Sequence, residues 1–381
     1  MGAGLGAARG PVRVRAAVPA DNAALVDLAL ACPMEGDVGL CVSRAPDLFA
    51  LNRLEGESSS SAVAEDCETG DVVGCAAVAG RGVWLHGAPA NVTYAYDLKV
   101  HPAHRGGPAA DALSRWVRDE CERRGGPDVP VFLTILAGNE PMERRATGRV
   151  AGVPRFARFA TVRSHSITLL GRRRLRESRT GLRVTRARAG DAEEMAALWA
   201  RVASARQLAP VLDADSLLRF AAAAPGLGVE SYRVARRRDG RIAGFGALWD
   251  QSSFKQLRVT RYSPRLAAVR LAFNAVAPLL GSSPLPPAGG ALRQATAFNV
   301  CVPADQPDVL AALVRDAHDE LRAEGHSLLT IGLDLRDPLA AALDGLFAQP
   351  TDVHAYACTA TGDYAGPPLD ASMLHYEIAL V

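Results

Sequence analysis

The sequence predicts a mixed α/β (α+β) chain built from two tandem copies of one unit, and three observations predict it. Landmarks recur in order: Arg13-Val14-Arg15-Ala16 followed by Asp21 returns as Arg183-Val184-Thr185-Arg186 followed by Asp191, and Gly70-Asp71-Val72-Val73-Gly74 returns as Gly240-Arg241-Ile242-Ala243-Gly244, both 170 positions later. Farther on, Ala112-Leu113 with Gly125 returns as Ala312-Leu313 with Gly325, 200 positions later, and Leu133-Thr134-Ile135 returns as Leu329-Thr330-Ile331, 196 later. Order-preserving repeats point to a duplicated domain. The jump in offset places an insertion in the second copy near residues 251–290. The second observation is a set of short alternating runs bounded by turn residues, and the third is a strand, small-residue turn and helix at 92–125.

The first copy reads as a strand at 12–17, helices at 20–31 and 43–51, strands at 61–67, 72–79 and 91–100, a helix at 108–124, a strand at 130–137, a helix at 140–147 and closing strands over 155–170. Gly70-Asp71 is a tight-turn signal between the second and third strands. Residues 1–11 read as a disordered tail, 12–171 as the first domain, 172–181 as an Arg-rich linker and 182–381 as the second domain. Within the insertion, Leu266, Val269, Leu271, Ala272, Ala275, Val276, Leu279 and Leu280 fall at helical spacing, followed by a Pro/Gly-rich return over 282–290. That helix is expected to pack across the domain boundary or in a homodimer contact, or, in a sharper reading, to cover the first copy's acceptor cleft.

The segment Val100-His101-Pro102-Ala103-His104-Arg105-Gly106-Gly107-Pro108-Ala109-Ala110 follows an alternating strand and opens a helix. The first amides of a helix lack internal acceptors and carry the positive end of its dipole, which suits a diphosphate. Gly106, Gly107, Ala109 and Ala110 let such a group approach the backbone, and Arg105 adds a fixed charge. An ordinary turn without ligand is the alternative.

At these residues the chain resembles the GNAT superfamily of acyl-CoA N-acyltransferases. Arg105, Ala110 and Ala112-Leu113 match its signature, and Pro108 stands where the family has its second glycine, removing one donor. The resemblance implies, for each copy, a mixed and mostly antiparallel sheet flanked by helices. It also implies acetyl-CoA or another acyl-CoA as co-substrate, and a central strand whose backbone at Leu98 and Val100 serves the pantetheine arm and the thioester carbonyl. Asn139 matches the family's asparagine near the leaving thiol, and is equally a turn residue. The family's general-acid tyrosine is missing from residues 140–152. Alternation places Tyr94 and Tyr96 on one face with Leu98 and Val100, which makes these tyrosines the candidates for proton transfer or acceptor positioning, or else core aromatics. Asp97 is expected on the opposite face. Glu35 and Asp37, in an acidic loop, are candidates to attract an ammonium group.

In the second copy the corresponding turn, Val302-Pro303-Ala304-Asp305-Gln306-Pro307-Asp308, lacks the arginine and glycines and carries two aspartates. It is expected not to hold the nucleotide. A net charge of +2 argues against a nucleic-acid or membrane partner, and seven cysteines without a Cys-x-x-Cys pair argue against a zinc site or disulfide framework, so no metal is expected. With no apolar run near the ~18 residues of a membrane span, a cytoplasmic location is expected. The reading is an N-acyltransferase, acetyl foremost, for a primary amine of a small molecule or peptide. The alternatives are a non-catalytic binding or scaffold protein of the same fold, or a transferase for long-chain or carrier-protein donors.

Overall fold

The computed structural model describes residues 10–34, 36–55, 58–148, 150–171 and 181–381. Most of the expected N-terminal tail, nearly all of the Arg-rich linker and Glu35 lie outside the described residues. The first half contains β1 (Val12–Ala16), α1 (Asn22–Ala31), β2 (Val38–Ser43), α2 (Phe49–Asn52), β3 (Ser58–Asp66), β4 (Val72–Leu85), β5 (Ala88–Val100), α3 (Ala109–Gly125), β6 (Pro130–Leu136), α4 (Glu140–Thr147) and β7 (Ala157–Thr168). The second contains β8 (Arg183–Arg186), α5 (Ala192–Ala203), α6 (Ala214–Ala223), β9 (Tyr232–Arg236), β10 (Ile242–Trp249), β11 (Gln256–Tyr262), α7 (Pro264–Val276), β12 (Gln294–Cys301), α8 (Pro307–Ala323), β13 (Leu328–Asp334) and β14 (Ala348–Thr359).

Twelve strands form one sheet in the order β1-β3-β4-β5-β6-β14-β7-β13-β12-β10-β9-β8. All neighbours are antiparallel except β5 with β6 and β12 with β13. The closing strands are exchanged. The last strand of the second half, β14, lies between β6 and β7, and β7 of the first half pairs with β13. Packing follows the exchange. Ile167 of β7 is buried with Leu329 and Ile331 of β13 and Leu310 and Leu313 of α8, while Tyr356 and Cys358 of β14 are buried with Val131 and Leu133 of β6. Each such side chain contributes about 1.5–3 kcal/mol of apolar burial, so both halves depend on the loan.

The repeated glycines have a packing reason. A Cβ on Gly74 would lie 2.9 Å from Leu113 Cδ1 of α3, and one on Gly244 would lie 2.7 Å from Val309 Cγ1 of α8. In both halves the long helix sits so close to the sheet that only glycine fits beneath it.

Two local expectations are corrected. Residues 43–51 do not form a full helix: Val38–Ser43 is a strand, alternately buried, and only Phe49–Asn52 is helical. Its partner is β11 of the insertion, 213 or more residues away, with Tyr262 opposite Val38 and Gln256 opposite Ser43. The insertion thus carries a strand as well as the expected helix α7. It meets the first half through β11, through the Ser263 N–H, which donates to the Asp37 carbonyl at 2.8 Å, and through the Leu280 carbonyl, which accepts from the Gly171 N–H at 2.6 Å. Helix α7 has no buried residue, and Val269, Leu271 and Val276 are exposed.

Candidate functional site

After β5 the chain makes a single 3-10 turn over Pro102–His104, passes through Gly106 at φ +76° and enters α3 behind Pro108. His101 Nδ1 accepts from the Ala103 N–H at 3.3 Å, and His104 Nδ1 lies 3.9 Å from Asp66 Oδ2, so both histidines hold the turn in place. The amides of Gly106, Ala109 and Ala110 donate to no backbone acceptor among the described residues, as expected for a chain entering a helix. Arg105 lies across the strand end, its Nε donating to the Val100 carbonyl at 3.3 Å. Leu98 and Val100 stand in the same vicinity, and Val100 is paired with Gly74 of β4.

Strands β5 and β6 pair only at Thr93 with Val131 and Tyr94 with Phe132. Beyond Tyr94 they part, leaving a wedge whose flanks are the rest of β5 and β6. Asp97, at φ +54°, is the extra residue of a bulge against β4, where the register shifts between Cys75 and Ala77. The bulge corrects the expected alternation. Tyr94 and Tyr96 do share a face, with rings stacked at 5.5 Å and 8°. Leu98 and Val100 pack on the other, against Ala109 and Leu113 of α3. One inserted residue reverses every side chain after it.

On the tyrosine side a chain of hydroxyls bridges the wedge. Tyr94 shares a hydrogen bond of 3.0 Å with Thr134 of β6, and Thr134 shares one of 2.9 Å with Tyr376, a residue from the end of the second half. Burial pushes the Tyr376 hydroxyl well above its ordinary value, and its tyrosine neighbour adds to this. The Arg81 guanidinium covers the Tyr94 ring at 3.9 Å and is paired with the fully buried Glu55 carboxylate. The Tyr96 hydroxyl is buried and raised, first by burial and then by Asp97; Ser59 beside it is not aligned for a hydrogen bond.

At the bulge the charges collect. Lys99 Nζ pairs with one Asp97 oxygen and Arg44 Nη1 lies 3.5 Å from the other. Burial opposes ionisation of Asp97, but Lys99 and Arg44 overcome it and hold the carboxyl at about 2. Lys255, at the start of the insertion, is brought beside Arg44 by the pairing of Gln256 with Ser43; burial and then Arg44 depress its ammonium to about 7, with Asp97 opposing. The only two lysines of the chain therefore meet here. Sequence reasoning missed Tyr376, Arg44 and Lys255, since none is near the turn in the chain; the scarcity of lysine was the one visible signal.

Asn139 is the N-cap of α4, its Oδ1 accepting from the Met142 N–H at 3.4 Å, which leaves Nδ2 as its free donor group. Glu35 falls outside the described residues. Among the described residues no group of three or more His, Cys, Asp or Glu side chains could hold a metal, and no helix is long and apolar enough to cross a membrane.

The second half repeats the wedge and fills it. Strands β12 and β13 pair from Gln294 with Leu328 to Thr296 with Thr330 and then part. Asn299, at φ +47°, takes the place of Asp97. Its N–H donates to both Glu377 oxygens, at 3.1 and 3.2 Å, and Glu377 is held by His375 at 2.6 Å. The Ala379 carbonyl accepts from Gln251 Nε2 at 2.8 Å and Lys255 Nζ at 2.9 Å. Thr330, the counterpart of Thr134, is buried with its hydroxyl unpartnered. Helix α8 opens on Pro307 and Asp308 without a preceding glycine, and the Gln306 side chain is engaged by Arg237 at 2.6 Å.

A parallel strand pair that parts beside a central bulge, followed by a tight turn into a long helix, occurs twice in one sheet. The fold is that of the GNAT superfamily. Among solved structures, a GCN5-related N-acetyltransferase from Sphaerobacter thermophilus matches 92% of this chain and 96% of its own, at 15% identity and TM-score 0.56. Saccharomyces cerevisiae N-myristoyltransferase, solved with myristoyl-CoA, matches 95% and 84% at 13% identity and TM-score 0.58. A tandem GNAT protein from the clavulanic acid biosynthesis pathway matches 94% and 99% at 12% identity and TM-score 0.54. No protein-family model and no curated protein sequence matches the chain. At these identities the likeness concerns the fold.

Proposed function

We propose that the first half is an acyl-CoA-dependent N-acyltransferase, with acetyl as the first acyl group to test, acting on a primary amine. The observation that carries this is the contrast between two wedges in one sheet: the first opens beside a small-residue turn with Arg105 at the strand end, whereas in its counterpart the bulge amide is claimed by the chain's own Glu377 and the turn carries Asp305 and Asp308. Gly106, Gly107, Ala109, Ala110 and Arg105 are the proposed diphosphate contacts, with one donor lost at Pro108 and a second at Gly107, whose N–H donates to the His104 carbonyl at 3.2 Å and which serves by its small size. The backbone near Leu98 and Val100 and the Nδ2 of Asn139 are the proposed contacts for the pantetheine arm and the thiol.

In the reaction, the amine nitrogen bonds to the acyl carbon, the carbon–sulfur bond breaks and the thiolate takes a proton. The family's acid tyrosine is absent from α4, and the Tyr94–Thr134–Tyr376 chain is the proposed replacement. The Tyr376 hydroxyl, whose burial disfavours the phenolate, remains protonated near neutral pH. The hydrogen-bonded hydroxyls suit a relay in which each takes up a proton as it gives one away, the supply being the ammonium formed on attack. Tyr96 is the proposed wall for the acceptor. In this reading the second half holds no nucleotide and supplies Tyr376 and Lys255.

Isothermal calorimetry tests the donor site with acetyl-CoA, CoA and myristoyl-CoA. Binding to the wild type, lost in an Arg105→Glu, Gly107→Glu double variant, is the expected result. Absence of binding, or binding indifferent to the double variant, overturns it. Thiol release across a panel of amines distinguishes an enzyme from a binding protein of the same fold.

A further inference from the structure

The bulge of β5 carries a charge imbalance that the donor site does not explain. Among the described residues Asp97 is the one carboxylate that the cluster itself contributes, and it faces Arg44 and Lys99; Lys255 joins them through the pairing of its neighbour Gln256 with Ser43, beside Arg44, while its Nζ donates to the Ala379 carbonyl at 2.9 Å. The nearby acids are committed elsewhere: Glu55 to Arg81, and Glu377 to His375 and the Asn299 N–H. Arg44 is only 5% exposed, donates its second terminal nitrogen to the Leu48 carbonyl at 2.9 Å and Asn52 Oδ1 at 2.8 Å, and leaves Nε unpartnered. Lys99 keeps 28% of its side chain accessible and donates to Asp97. Among the described residues the cluster thus holds at least one positive charge more than it cancels.

An uncancelled charge at low dielectric is costly, and chains retain such an arrangement where a ligand completes it. The three cations come from three separated parts of the chain: the end of β2, the central strand, and the start of the insertion. Pairing of β2 with β11 brings the first and last together at the edge of the parted strands. We propose that Arg44, Lys99 and Lys255 form an anionic-group subsite for the acceptor, so that the amine acylated belongs to a molecule that also carries a carboxylate or similar anion close to it. This rests on the transferase reading above. The same cations disfavour an ammonium beside them, which helps the acceptor arrive as the neutral nucleophile that attack requires.

Steady-state kinetics with acetyl-CoA and amino acids, each paired with its own neutral amide, tests the subsite in the full-length protein. The expected wild-type preference for the acid over its amide is about tenfold to a hundredfold in kcat/KM, carried by KM, the range for one charge-assisted contact. Lys99→Met and Lys255→Met are each expected to collapse that ratio toward one, and Lys255→Arg to restore part of it. A wild type that uses amides as well as acids, or methionine variants that keep the ratio, overturns the subsite while leaving the transferase standing. Loss of acetyl-CoA binding and of all amine turnover in the wild type overturns both. Circular dichroism of each variant separates a lost ratio from a lost fold.

Discussion

One sheet contains two wedges with the same backbone geometry and different contents. At the first, Asp97 bulges beside a hydroxyl chain and the following turn has small residues and open amides; at the second, Asn299 bulges in the same way, its N–H claimed by Glu377, and the turn carries Pro307 and Asp308. The backbone geometry is shared by both halves and the side chains that line it are not. The opening alone therefore predicts no activity. What fills it decides.

The sharpest break of the comparison is at the turns. Gly107→Glu is expected to weaken acetyl-CoA binding by at least about 10²-fold, through bulk and charge at a diphosphate site, whereas Asp305→Arg in the second half is expected to leave the affinity unchanged by calorimetry. Next comes the hydroxyl chain. Tyr376→Phe is expected to lower kcat about 10²-fold, the usual scale for a lost proton-transfer group, with acyl-CoA affinity preserved; an unchanged kcat and pH profile would remove Tyr376 from the chemistry.

Stability separates the wedges further. Glu377→Ala leaves the Asn299 amide buried and unpaired, for an expected loss of about 1–3 kcal/mol in urea unfolding, without creating a second nucleotide site. Lys255 gives a pH signature. Below about 7 it is charged whether folded or not, and the burial penalty is present in full. Between about 7 and its ordinary value of 10.5 only the unfolded chain keeps the proton, so wild-type stability rises with pH across that window. Lys255→Met is expected to flatten that rise and to add about 1–3 kcal/mol at pH 6. The smallest effect belongs to Thr330→Val, which removes a buried hydroxyl without partner and is expected to stabilise by up to about 1 kcal/mol; Thr134→Val should instead impair turnover.

Much of the fold was legible because its signals are local. The order of strands and helices, the Gly70-Asp71 turn and the turn into α3 are written within a few residues of where they act. The recurring Gly74 and Gly244 were visible as landmarks, although their reason, a helix resting on the sheet, needed the packed chain. What escaped were features fixed by distant partners. Strand β2 goes unread, only its last residue Ser43 falling in the expected helix 43–51, because its ladder is completed by the distant β11, and the exchange of β7 and β14 leaves no trace in either segment. The bulge at Asp97 hid behind a regular alternation, which is why Leu98 and Val100 were assigned to the tyrosine face. Of the site, the turn residues and the Tyr94/Tyr96 pair could be read; Tyr376, Arg44 and Lys255 reach it only through tertiary structure.

The borrowed strands make the two halves inseparable in a practical sense. Cut at the linker, residues 10–171 would keep β6 and β7 but lose β14 between them and β13 beyond, exposing one edge of β6 and both edges of β7, unpaired edges of the kind that drive chains to aggregate. The second half is thereby shielded from deletion, since discarding it would dismantle its neighbour.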